Sequence, residues 1–368
     1  MKNLWLIRLK IFFAFLLILV FVLIVAFMFS VFFSNIEITR QVLEKAFNST
    51  VKKNNIYEAV LYVENKSGDF SESFGYGGRD TDTPMWTASV GKLFTAACVL
   101  MLCEKGSLSL DDKLSVYFDE EQLSGLHVYK GHEYSFDITV YDLLFQTSGL
   151  PGGSGILSDE DAYFSFEHIL REIKKISPVF PPNSEKKAYY ANVNFWILGE
   201  ILEKITGIPL ADVYQQMIFI PLEMNNTYLV SDENVYIPHF YNGSEKLYRP
   251  KRIISSGAAG GFVSTPKDIM IFSKAFWEGR LFDETFFEKI SVYRKLKPYP
   301  AMVYYGGGYM RIPLFPGKGE IIGHSGITGS FVFYYPQMGL HFTGDFAQLE
   351  KPSAPFLLLM HLVMIARQ

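Results

Sequence analysis

Cysteine is nearly absent: two residues in 368, Cys98 and Cys103. They lie five apart in an apolar stretch with helical spacing, which puts them on different helix faces and excludes a disulfide framework. The seven histidines show no paired ligand spacing, so no metal site is expected, and nothing in the sequence calls for a cofactor. An excess of positive charge is also missing: Lys+Arg number 34 against 38 Asp+Glu. Only Lys2, Arg8 and Lys10 among the cations precede residue 35, and no acid does, so the remaining chain carries 31 cations against 38 acids, a formal charge of −7. An acidic body has no electrostatic reason to bind nucleic acid. Internal repeats and low-complexity tracts are absent too, which excludes solenoids and disordered linkers.

Charge is missing from one long run. From Ile11 to Phe33 the only polar residue is Ser30. A helix of that length crosses a hydrocarbon core of about 30 Å, and a buried soluble helix would show a polar face. The run exceeds the apolar region of a cleaved signal peptide, and Ser-Val-Phe-Phe-Ser is a poor cleavage site. The expectation is a basic cytoplasmic N-terminus (1–10), a transmembrane signal anchor (11–33) and a juxtamembrane segment with a short polar helix (34–54). Residues 55–368 then form a domain outside the cytoplasmic membrane, because cations before the span favour a cytoplasmic N-terminus.

Within that domain Ala59–Val63 and Phe70–Tyr76 read as strands around a Lys66-Ser-Gly-Asp69 turn. Ser89–Glu104 reads as an apolar helix. Residues 107–250 are dominated by helical patterns, including 140–147 and 194–206. Thr265-Pro266 opens another helix. Strand-like runs follow at 307–312, 320–324, 330–335 and 340–343, and an apolar helix closes the chain at 355–366. The fold class expected is α+β: an antiparallel sheet flanked by N- and C-terminal helices, with an all-α insert at about 107–250.

Ser-x-x-Lys brings a hydroxyl and an amine to one helix face. The amine can take the serine proton if burial or a neighbouring charge lowers its pKa. The pattern starts at Ser49, Ser89, Ser184 and Ser264. Only Ser89 opens a long apolar helix, directly after Met85-Trp-Thr-Ala88. Burying Lys92 there is costly unless the amine has work to do. Tyr190-Ala-Asn192 precedes a second helix, which Asn192 or Asn194 is suited to cap. Alternatively Tyr190 takes or relays a proton while Asn192 binds a substrate carbonyl. A third element, a cationic residue followed by Ser and Gly on a strand edge, has two candidates: Lys66-Ser-Gly68 and His324-Ser325-Gly326. The second fits better, because Gly326 lets a substrate backbone approach.

Taken together these segments resemble the β-lactamase-related serine hydrolases, the group of class C β-lactamases, D-alanyl-D-alanine carboxypeptidases, D-aminopeptidases and related esterases. The similarity runs over roughly residues 55–365. It includes Lys105-Gly-Ser-Leu-Ser-Leu-Asp-Asp112, Gln146-Thr-Ser-Gly-Leu-Pro151, Gly257-Ala-Ala-Gly-Gly261 and Gly323-His-Ser-Gly326, in the family's order. The resemblance implies a β-lactamase/transpeptidase-like fold and an acyl-enzyme on Ser89, with Lys92 and Tyr190 as base machinery. It also implies an oxyanion hole from the N–H groups of Ser89 and Ile327. The substrate expected is a small peptide, amide or ester, cell-wall peptide included. The alternatives are a β-lactamase, or a non-catalytic penicillin-binding sensor on the same scaffold. Two departures stand out. His324 replaces the lysine of class C β-lactamases, and with an unperturbed pKa near 6.5 it should read a substrate carboxylate less well as pH rises. Phe145-Gln146 replaces the usual Thr-His, which is expected to matter only for packing.

Overall fold

The computed structural model describes residues 37–152, 161–183, 187–300, 302–314 and 317–366. The expected span at 11–33 and the Ser184 motif lie outside the described residues. No helix among the described residues is long and apolar enough to cross a membrane.

One nine-stranded sheet organises the chain. Its strands are β1 (Ala59–Asn65), β2 (Ser71–Tyr76), β3 (Ala188–Tyr189), β4 (Arg294–Lys297), β5 (Tyr304–Tyr305), β6 (Met310–Pro313), β7 (Glu320–Ser325), β8 (Phe331–Tyr335) and β9 (Leu340–Asp345). Their spatial order is β2-β1-β9-β8-β7-β6-β5-β4-β3. Every pairing is antiparallel except that of β4 with β3. The first and last strands, β1 and β9, therefore pair inside the sheet, one strand in from the β2 edge, and a fragment of the insert forms its far edge.

Alternation along β7 and β8 gives the sheet two buried faces. On one face Phe331, Phe333 and Tyr335 pack with Ile312 and Ile321 against the terminal helices. On the other, Ile322 and Val332 join the large core of the helical region.

The helices used below are α1 (Arg40–Lys53), α2 (Lys92–Glu104), α3 (Val140–Leu144), α4 (Asn192–Thr206), α5 (Pro250–Ser256), α6 (Pro266–Trp277) and α7 (Ala354–Ile365). Helix α7 docks on the sheet, burying Leu358, Leu359, Leu362 and Val363. Helix α1 packs beside it, so the segment expected to be a juxtamembrane spacer is part of the folded body. Its Leu43, Phe47 and Val51, spaced by four, form a helical stripe that is fully buried. Phe47 meets Phe346 edge to face at 6.0 Å.

The insert is not all helical. It carries two short hairpins, 128–133 and 240–247, besides strand β3. Helix α3 also stops earlier than its apolar pattern suggests, because Gln146 adopts a left-handed conformation, φ +60°.

Helix α2 runs through the large core with ten buried side chains and no polar face. Near its start Phe94 packs among Phe219, Phe262 and Phe272, all edge to face. Cys98 and Cys103 on this helix are free thiols. Burial pushes the Cys103 thiol up to about 12.

Candidate active site

Ser89 does not lie on an α-helix. Ala88–Gly91 forms a single 3-10 turn, and α2 begins only at Lys92. With three residues per turn, positions i and i+3 eclipse. The Ser-x-x-Lys spacing therefore stacks amine on hydroxyl more directly than an α-helix would. Lys92 Nζ lies 3.2 Å from Ser89 Oγ.

Ala88 holds this turn in a left-handed conformation at φ +44°, unusual for a residue with a Cβ. Its surroundings leave little choice. A Cβ on Gly260 would stand 2.5 Å from the Ala88 carbonyl, and one on Gly326 would stand 2.9 Å from the Ala88 Cβ and 2.1 Å from Ser330 Oγ. Ser330 Oγ in turn donates to the Thr87 carbonyl at 2.7 Å. Gly326 is thus needed to seat the nucleophile turn, a role beyond the substrate access expected of it.

The Lys92 amine is completely buried, and burial holds its pKa well below the usual lysine range. Besides Ser89 it meets Asn192 Oδ1 at 2.8 Å and the Ala259 carbonyl at 2.6 Å. An unprotonated amine has two N–H donors and one lone pair. The two oxygens can only accept, so they take both N–H groups, and the lone pair faces the Ser89 hydroxyl. The rings of Tyr190 and Phe195 lie 5.1 and 5.5 Å from Nζ, ready to stabilise an ammonium when one forms.

Tyr190 follows β3. Its backbone N–H donates to the Lys297 carbonyl at 2.7 Å. Its hydroxyl is buried, and the nearby Ser89 hydroxyl is the one influence that lowers its pKa. Burial, reinforced by Tyr299 and Tyr305, raises its pKa well above the ordinary phenol value. Tyr190 is therefore a phenol at neutral pH, fit to relay a proton and unfit to be a standing phenolate base.

Neither asparagine caps α4, which removes the capping alternative. The N-cap is Ala191, with no side-chain cap. Asn192 is committed to Lys92. Asn194 is committed to Gln146 Oε1 at 2.6 Å and accepts from Ser148 Oγ at 2.7 Å.

Gln146, read from sequence as a packing substitution, is a positioning residue. Its backbone carbonyl accepts from Tyr189 N–H at 2.9 Å, and its Oε1 accepts from Ala191 N–H at 2.9 Å. One residue, through its carbonyl and its side chain, thus fixes the backbone on both sides of Tyr190.

His324 lies behind the site. It is completely buried on β7, while its neighbours Ser325, Gly326 and Ile327 line the cleft with Ser89 and Asn192. Its Nδ1 lies 2.9 Å from the Ser325 carbonyl, which can only accept, so Nδ1 carries the proton and Nε2 faces the Tyr305 hydroxyl at 3.5 Å. Burial brings its pKa down to about 3, and a positive charge on Lys92, when the amine is protonated, pushes the same way. It stays neutral and does not reach the cleft, which corrects the expectation that it reads a substrate carboxylate.

The N–H groups of Ser89 and Ile327 are not taken by backbone acceptors among the described residues. Lys66-Ser-Gly68 sits in the β1–β2 turn and lines no part of the cleft. Ser264 Oγ is tied to Thr227 Oγ1 at 2.7 Å, and Lys267 reaches surface Asp82 at 3.3 Å. Ser49 stands on α1 and lines no part of the cleft.

Two predictions follow from this geometry. Gln146→Met removes the acceptor for Ala191 and Asn194. It should lower kcat for a simple ester by about 10- to 100-fold with little change in KM, as expected for misplaced reacting groups. Steady-state kinetics check it, and a kcat within twofold would show that Tyr190 and Asn192 are held without Gln146. For His324, the folded pKa lies below the working range, so the group is neutral at every pH from about 5.5 to 8. The ratio of kcat/KM for a carboxylate-bearing ester to that for its neutral counterpart should be flat across that range. A several-fold fall with rising pH would show that His324 titrates within it.

Residues 56–344 match the family described as Beta-lactamase. Penicillin-binding protein 4* of Bacillus subtilis is 27% identical over 321 residues, covering 78% of this chain and 66% of its own length. Protein flp of Staphylococcus aureus is 26% identical over 199 residues, covering 51% of this chain and 38% of its own length. Among solved structures, the D-stereospecific amidohydrolase from Streptomyces sp. superposes with a TM-score of 0.71 at 24% identity, over 84% of this chain and 95% of that one. The D-amino acid amidase from Ochrobactrum anthropi SV3, complexed with L-phenylalanine amide, gives a TM-score of 0.73 at 19% identity, over 88% and 96%. At such identities these two structures speak for the fold. Because the family match spans well over half of the chain and takes in Ser89, Lys92, Tyr190 and Gly326, the chain belongs to the beta-lactamase family of serine hydrolases.

Proposed function

We propose that this chain hydrolyses small amides, peptides and esters through an acyl-enzyme on Ser89. The observation that carries the reading is the buried Lys92 amine with two permanent acceptors and Ser89 Oγ as its third neighbour. The amine takes the Ser89 proton as Oγ attacks the substrate carbonyl. The ammonium so formed is held by Asn192 Oδ1, the Ala259 carbonyl and two aromatic faces. The carbonyl oxygen turns into an oxyanion between the N–H groups of Ser89 and Ile327, donors worth about 3–4 kcal/mol each in comparable sites. The Tyr190 hydroxyl passes a proton from Lys92 to the leaving group. The same pair then activates the water that releases the acid. Asn192 Nδ2 remains for a substrate carbonyl.

We also propose, on the charge pattern of residues 1–33, that the hydrolase body works outside the cytoplasmic membrane, tethered by the apolar run 11–33. The amidase and penicillin-binding relatives support an amide or peptide substrate. A neutral His324 in place of a lysine speaks against recognition of an anionic β-lactam as the main task.

A fluorophosphonate probe tests the nucleophile. Tandem mass spectrometry should find the adduct on Ser89 alone, and Tyr190→Phe should lower kcat by about 10²–10⁴-fold, the range for general acid–base groups. An adduct on Ser49, Ser184 or Ser264 would sink the assignment. For topology, protease added to intact spheroplasts should digest residues 35–368, and full protection until lysis would contradict the tether.

A further inference from the structure

Helix α7 has no charged residue from Ala354 to Ile365, and His361 is its one polar side chain. A helix docked on a sheet by one stripe normally turns a polar face outward. Here Leu358, Leu359, Leu362 and Val363 take the inner stripe. At about 3.6 residues per turn, Leu357, Met360 and Met364 fall together on the opposite side. Leu357 is 61% exposed there, and the two methionines are half-buried. The outer face of α7 is therefore apolar.

Helix α1 lies beside it with a different character. Between Arg40 and Lys53 it holds four cations against one acid, Glu44, in a body that is acidic as a whole. Leu43, Phe47 and Val51 face inward, so Lys45 and Lys52, both exposed and seven residues apart, point away from the sheet. The two helices share one core and one face of the sheet. Their outer sides thus form a single surface, an apolar strip flanked by cations.

The chain before α1 indicates what this surface meets. Ile38 is already buried in the core that α1 and α7 share, and Thr39 caps α1. Only Ser34 to Glu37 separate Ile38 from the end of the apolar run at Phe33. Four extended residues span at most about 14 Å, whereas a domain of this size is about 50 Å across. A bilayer that holds 11–33 is leashed closely to the layer of α1 and α7. Such a surface has an apolar interior just below its headgroups, and anionic headgroups attract lysine.

We propose that the outer face of α1 and α7 rests on the membrane surface, with Leu357, Met360 and Met364 dipping below the headgroups and Lys45 and Lys52 meeting anionic ones. The inference rests on the tether reading of residues 11–33. It makes the attachment a fixed mount, which holds the Ser89 cleft at one height above the lipid.

The test uses the full chain in liposomes. Leu357→Cys, Ile220→Cys and Val25→Cys each carry an environment-sensitive NBD label, and lipids with a nitroxide just below the headgroup act as quenchers. Burial raises both native thiols, Cys103 to about 12, so the label goes to the introduced cysteine. Ile220, 67% exposed beside the large core on the sheet's other face, is the control. The nitroxide should quench the label on Leu357→Cys at least about twofold and leave that on Ile220→Cys unchanged. With Lys45→Gln and Lys52→Gln added, the docked-to-undocked ratio on phosphatidylglycerol-rich vesicles should fall about fivefold per lysine. On neutral phosphatidylcholine it should hold, and an equal response on both lipids would overturn the part given to α1. If the label on Val25→Cys is quenched while that on Leu357→Cys stays in water, the tether stands and the docking is overturned. A label on Leu357→Cys that is shielded from water yet not quenched is covered by protein, a second copy or the run itself, and this too overturns the docking. If the label on Val25→Cys is not quenched, the tether reading fails, and quenching at Leu357→Cys alone then decides the docking.

Discussion

Everything at the site depends on one amine taken out of water. Lys92 lies at the head of a helix with ten buried residues, where a permanent charge would be costly. No carboxylate among the described residues pairs with it to keep it protonated. Its surroundings offer two neutral acceptors and a hydroxyl, enough to orient an amine in either protonation state. Burial favours the unprotonated form, and the oxygens and rings limit the cost of the protonated one. A general base needs that balance. The acceptors come from distant stretches, Asn192 at the head of α4 and Ala259 in the turn after α5, so the insert and the nucleophile helix must dock correctly for the amine to be useful.

A second constraint is steric. The left-handed Ala88 presents Ser89 to the cleft, and that conformation is held by backbone pressed against it from Gly260 and Gly326. Strain of this kind persists only where its surroundings over-determine it. Thr87, Ala88, Gly260, Gly326 and Ser330 therefore form a single packed unit.

Much of this was legible in the sequence. A lysine inside an apolar run is an anomaly that physical cost alone marks out, and the order of the Ser89, Tyr190 and His324 segments carries the family resemblance. Strands β1 and β6–β9 fall close to where alternation puts them. What was not legible depended on partners far along the chain. Whether residues 88–91 close through i+3 or i+4 bonds is not encoded in apolar spacing. His324 looks like a strand-end cation until its burial behind Ser325 is known. Gln146 hydrogen-bonds residues 45 and 48 positions later, which no local pattern reveals. Helix α1 is a different case. Leu43, Phe47 and Val51 spell out a buried face, but the adjacent apolar run draws the segment into the membrane reading.

The distribution of the nucleophile's supports along the chain has a consequence for biosynthesis. Ser89 and Lys92 emerge from the ribosome early, yet the residues that bend Ala88 and orient the amine come at 192, 259, 260, 326 and 330. Until β8 has been made, the serine is an ordinary hydroxyl beside an ordinary lysine. The nascent chain is chemically inert toward its surroundings for most of its synthesis, and reactivity arrives as the last strands close the sheet.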